Sequence, residues 1–182
     1  MTAVRCLFAV CDYLGDVLKE FRLPGASERT APVPVKVYPF HLPEPEPSPM
    51  RGDADEPAAE EYEHLLPAVV VRAVQYKDGE FDDDIGELTL TITVGAYSHD
   101  PLNREGPWMV LNLLERIRQV LLRKRVIDDR FETGAPMSWE LYDERTRPLW
   151  FGEMTTTWAI MEPARIVPQD FAGDSYGGDD NG

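Results

Sequence analysis

The sequence predicts an α+β fold, an antiparallel or mixed sheet of about four strands with two helices packed on one face. Three observations carry this expectation. Two stretches, residues 4–21 and 108–125, place apolar side chains at the mixed three-and-four spacing of a helix that buries one side. Stretches rich in β-branched residues flank the second of them, and residues 87–97 (ELTLTITVGAY) alternate cleanly in the manner of a half-covered strand. The chain has 182 residues and 43% apolar content, enough for one domain with a real core.

The first helix carries Val4, Leu7, Phe8, Val10, Cys11, Leu14, Val17, Leu18 and Phe21 as its stripe, and Pro24-Gly25 stops it. Residues 33–40 are short and β-branched but contain Pro34 and Pro39, so they read as an edge strand or an extended connector. Residues 67–76 (PAVVVRAVQY) read as a strand with Val69, Val71, Ala73 and Gln75 on one face. Residues 77–86 then form a hairpin loop carrying Asp82, Asp83 and Asp84. In residues 87–97, Leu88, Leu90, Ile92 and Val94 face one way and Thr89, Thr91 and Thr93 the other.

The second helix (WMVLNLLERIRQVLLRKR) is the clearest element. Gly106-Pro107 marks its start, and Arg123, Lys124 and Arg125 offset the partial negative charge at its end. Leu114, Ile117 and Leu121 are expected to pack on Leu88, Leu90 or Ile92. Residues 137–142 (MSWELY) and 150–161 (WFGEMTTTWAIM) complete the strands.

The net charge is −15, and most of the excess lies in two segments. Residues 39–66 carry −7 and residues 168–182 carry −4. The organisation that follows is a single α+β domain over residues 1–167. It is interrupted at 41–64 by a long, flexible, acidic, proline-rich insertion and followed at 168–182 by a disordered acidic tail. So acidic a surface would repel phosphates, which argues against general nucleic-acid binding. No apolar run is long enough to cross a membrane, so no membrane partner is expected. Cys6 and Cys11 are five residues apart on a helix, and their side chains diverge. They are expected to be free, buried thiols in a reducing compartment.

No catalytic constellation emerges, and the chain is not expected to be an enzyme. His41, His64 and His99 fall in three different loops without ligand spacing, and Asp82-Asp83-Asp84 lacks the spacing of a calcium loop. No metal, cofactor-binding or catalytic residue is assigned, and no cofactor is expected. Trp150 and Phe151, bulky at a strand start beside Gly152, are candidate subunit-interface residues. Two other classes stay open. One is a metal-dependent hydrolase using carboxylates of the 82–84 loop with His99. The other is a small adaptor binding through the 41–64 segment.

The segments LLPAVVVRAVQYKDGE, LTITVGAYSHDP, VLNLLERIRQVLLRKRVIDDRFE and SWELYDERTRPLWFGEMTTTW, in that order over residues 65–158, resemble the tail terminator and tail-completion (head–tail joining) proteins of long-tailed phages and prophages. The insertion and the acidic tail depart from the compact pattern of that family. The resemblance implies a virion structural protein located in the tail or neck, and in the host cytoplasm during assembly. It would be a homo-oligomeric ring, typically a hexamer, that ends the tail tube and joins it to the head-side connector. Its partners would be itself, the tail tube protein and the connector protein. DNA would pass through the channel without sequence-specific binding, and Asp82, Asp83 and Asp84 are candidate channel-facing residues.

Overall fold

The structure is a computed structural model that describes residues 3–25, 31–44, 63–79, 85–100, 105–134, 136–142 and 148–161. Asp82, Asp83 and Asp84, residues 45–62 of the expected insertion and the expected tail at 168–182 lie outside the described residues. The elements in chain order are α1 (Ala3–Leu18), β1 (Arg22–Leu23), β2 (Val33–Pro34), β3 (Lys36–Pro39), β4 (Ala68–Lys77), β5 (Ile85–Tyr97), α2 (Glu105–Lys124), β6 (Val126–Ile127), β7 (Phe131–Thr133), β8 (Ser138–Leu141) and β9 (Leu149–Met161).

The α+β class holds, but the main sheet has seven strands rather than about four. Its order is β3-β4-β5-β9-β7-β6, with β8 also paired to β9. The extra strands, β3, β6 and β7, are two to four residues long, too short to show an alternation in sequence. The sheet is mixed. β3 runs parallel to β4, and the other pairings are antiparallel. The prolines of residues 33–40 thus sit at an edge, where a missing ladder donor costs least. A separate two-stranded sheet joins β1 to β2.

β5 and β9 form the spine, paired over thirteen positions from Ile85↔Met161 to Tyr97↔Leu149. The outer side of β9 is shared. Ser138–Leu141 oppose Thr155–Gly152, while Glu132 and Thr133 oppose Ala159 and Trp158.

Both helices lie on one face of the sheet. α1 packs on β3 and β4, and α2 on β5 and β9. The Tyr13 hydroxyl of α1 donates to the Val120 carbonyl of α2 at 3.0 Å, tying the helices side by side. Leu88, Leu90, Ile92 and Val94 from β5 and Met154 and Trp158 from β9 are fully buried beneath them, together with Leu114, Ile117 and Leu121. On the solvent side of α2, Glu115 accepts two hydrogen bonds from Arg118, both 2.8 Å. These, with a bond from Gln119, hold its carboxyl down to about 2.

Several details depart from the sequence expectation. Val4 and Phe8 of the expected α1 stripe are exposed, at 53% and 43%. Trp108 does not join the buried stripe of α2 but is 64% exposed. It lies two residues before buried Val110, roughly 200° away around a helix of 3.6 residues per turn. In β4, a bulge between Ala73 and Gln75 inserts Val74. Gln75 therefore opposes Thr89 on the polar face instead of sharing a face with Ala73, which opposes Leu90.

α2 ends with Arg125 in the left-handed region at φ 48°, its N–H bonded to the Leu121 carbonyl. Asp128 and Asp129 both have positive φ, 53° and 51°, and make the tight turn from β6 to β7. Asp128 also meets Arg5 of α1 at 3.5 Å.

Cys6 and Cys11 are free and buried, as expected. Burial pushes both thiols from 9.0 up to about 12, and the Asp12 carboxylate adds to the rise at Cys11. Each thiol keeps its proton in the fold where the unfolded chain would ionise. Their stabilisation is therefore whole below pH 9.0 and is lost as the pH climbs towards about 12. Urea melts across that window should show a falling midpoint, with less of a fall in Cys6→Ala. Thiol reagents near neutral pH should label the unfolded chain and spare the folded one. Rapid labelling of the folded protein would contradict the burial.

Candidate functional site

The polar face of the sheet, opposite the helices, is built by the threonine alternation. Thr89, Thr91 and Thr93 of β5 stand directly across from Thr157, Thr155 and Glu153 of β9. The Arg72 guanidinium reaches Glu153 at 3.1 Å, and Thr93 donates its hydroxyl to the same carboxylate at 3.0 Å. Glu140 of β8 stands directly opposite Glu153 as well. The Tyr142 phenol is pushed up, first by burial and then by the nearby Glu153 and Glu140 carboxylates. Like charges placed directly across a ladder repel, and Arg72 relieves only one of this pair.

One end of this face is apolar. Leu66, Ala68 and Leu149 are buried there with Tyr38, Leu42, Tyr97 and Phe151 packed around them. At the same end of the sheet, on the helix side, the Trp150 ring packs against Gly106 at the start of α2. Any Cβ at Gly106 would collide with the indole. Gly152 plays a similar part. A Cβ there would come within 2.9 Å of Leu114 Cδ1 and Val110 Cγ1, so the absent side chain lets α2 approach β9 closely.

The candidate interface residues Trp150 and Phe151 thus have packing partners within the chain and are half-buried. They also line a recess of about 220 Å³ with Pro107, Val110, Leu141 and Tyr142. The Trp150 indole N–H is buried with no acceptor among the described residues.

Among the described residues, exposed apolar side chains include two groups near the ends of the spine and others elsewhere, among them Val4, Phe8 and Phe40. Leu141 and Tyr142 line the recess, and Trp108 is exposed next to Pro107 in the first turn of α2. Val74, Tyr76 and Ile85 stand at the far end of β4 and β5, where β4 is exposed on both faces from Arg72 to Lys77. The register places these groups at opposite ends of the spine. Ile85 pairs at one terminus of the β5–β9 ladder, and Leu149 at the other, beside Trp150. The helix-like spacing of Trp108 and the alternation of residues 67–76 hid both groups from sequence reasoning, because each mimics a buried pattern.

The histidines do not converge. His41 and His64 are exposed, and His99 contacts the Gly25 carbonyl at 2.8 Å with its ring against Tyr97. Among the described residues no group of three or more His, Cys, Asp or Glu side chains is placed to hold a metal ion, and no helix is long and apolar enough to cross a membrane. The apolar recess at one end of the spine and the exposed end of β4 at the other are therefore the surfaces with the clearest capacity for contact. No family model matches the chain, and no curated protein matches it significantly.

Proposed function

We propose that the chain is a structural assembly protein that forms a closed ring, ends a phage tail tube and joins it to the head-side connector. The observation that carries this reading is the pair of exposed apolar clusters at opposite ends of one spine. Apolar patches of this kind mark contact sites. Two different patches on one chain fit a head-to-tail contact between copies, and such a contact repeats until a ring closes. The order of elements that resembles tail terminators, and a net charge of −15, support the same role. An acidic channel wall keeps DNA phosphates from adhering. Asp82, Asp83 and Asp84, which connect β4 to β5 in sequence, are proposed to supply part of that wall.

The test is the mass of the native assembly, followed by mixing with polymerising tail tubes. A single ring-sized species that halts tube growth is the expected result. A chain that stays monomeric at assembly concentrations and leaves tube growth unchanged would refute the reading.

A further inference from the structure

Among the described residues, the sheet has an open edge on each side at one level, and the registers show it. Arg72 opposes Thr91, Thr91 opposes Thr155, and Thr155 opposes Ser138. At this level the sheet is β4-β5-β9-β8. β3 has already ended, its last pair being Pro39 with Val71. On the far side, no strand lies beyond β8 among the described residues. Both edge segments, Arg72–Lys77 and Ser138–Leu141, are exposed throughout.

We infer that β4 of one copy pairs antiparallel with β8 of the next, so that a single sheet runs continuously from subunit to subunit. The inference rests on the ring reading and specifies its contact. The argument is first one of parity. Neighbouring strands in this row are all antiparallel, and their number is even, so β4 and β8 run in opposite directions. A second copy in the same orientation, offset along the strands so that its Arg72–Lys77 overhang rather than its β3 faces Ser138–Leu141, presents its β4 antiparallel to β8, and the alternation continues unbroken. An odd row would have forced a parallel junction.

The faces match as well. Cross-strand neighbours share a face of the pleat. Ala73 and Tyr76 lie on the helix-bearing face, opposite Leu90 and Leu88, and so do Trp139 and Leu141, opposite Met154 and Gly152. Arg72, Gln75 and Lys77 lie on the polar face, as do Ser138 and Glu140. Joining the edges sets apolar side chains beside apolar ones and the cations of β4 beside Glu140. Glu140 has no cation of its own among the described residues and faces Glu153 within the chain. The β4 overhang carries Arg72 and Lys77 and no acid; within the chain Arg72 meets Glu153 at 3.1 Å and Lys77 meets Glu87 at 3.6 Å, but both cations remain exposed and open to a second carboxylate. Charge complementarity therefore favours β8 of another copy as its occupant. An exposed strand edge left without such a partner invites uncontrolled pairing.

The test uses two variants of the full chain. Val74→Lys places a charge on the β4 edge and Trp139→Lys one on the β8 edge, both at exposed positions where melting of the subunit should not change. Each variant alone should lose the ring-sized species. Mixed, the two should form a dimer and nothing larger, because the pair keeps one intact β8 and one intact β4. Amide exchange at residues 72–77 and 138–141 should be slow in the unmodified ring and fast in each variant. A ring that survives either substitution overturns the edge contact and leaves the assembly reading standing. An unmodified chain that never assembles overturns both.

Discussion

Trp158→Ala is expected to destabilise the fold by about 3–5 kcal/mol, a large fraction of the roughly 5–15 kcal/mol that holds a domain of this kind together. The indole is fully buried on the helix face of β9. Its N–H donates to Thr156 Oγ1 at 2.9 Å, and the Thr156 hydroxyl donates in turn to the Leu90 carbonyl at 3.3 Å. The substitution therefore removes the largest side chain of the core and one link of a buried polar chain that ties β9 to β5. Trp158→Phe separates the two effects. It keeps most of the volume and loses only the donor, and it should cost about 0.5–1.5 kcal/mol. Urea denaturation of the three proteins measures both. A loss under about 1 kcal/mol for the alanine variant would mean that the site collapses freely, against the packing described.

Leu114→Ala is the second large effect, at about 2–5 kcal/mol. Leu114 is fully buried, and its Cδ1 lies 2.9 Å from where a Cβ on Gly152 would stand. Gly152→Ala by itself crowds the same spot and should cost about 1–3 kcal/mol. The two changes should not add. Removing the leucine clears one of the three atoms that a new methyl would meet, leaving Val110 Cγ1 and the Glu140 carbonyl oxygen. The double variant should lose less than the sum of the singles, by at least about 0.5 kcal/mol. Additivity within about 0.3 kcal/mol would show that Leu114 and Gly152 do not share a contact.

Where the sequence was legible, a long period did the work. α2, β5 and β9 each run thirteen residues or more, and their buried positions follow the spacing that Leu114, Ile117, Leu88 and Leu90 announce. β3 was visible only as an extended stretch with prolines, and its parallel pairing to β4 depends on a partner some thirty residues on. β6 and β7 owe their existence to the Asp128-Asp129 turn, whose positive φ values no hydrophobic pattern encodes. The bulge at Val74 is equally silent, because one inserted residue in a valine-rich run leaves the composition unchanged. The same bulge helped conceal the exposed end of β4, since a strand that reads as half-buried proves open on both faces beyond Val71. The recess missed notice for a different reason. Trp150 and Phe151 stood out as bulky, but their companions Pro107 and Val110 come from a helix about forty residues earlier.

The pairing of β5 with β9 also constrains the order in which the fold can be completed. Residues 85–97 close on residues 149–161, with α2 and three shorter strands made in between. Such distant pairings form slowly, because the entropy of bringing the ends together is lost before any contact is gained. On the ribosome, the β4–β5 hairpin emerges first. It must then wait, with one side of β5 bare, until β9 has been synthesised. Through that interval Leu88, Leu90 and Ile92 have only α1 and the growing α2 to shelter them. The newborn chain is therefore most prone to aggregate just before its central strand acquires its last neighbour.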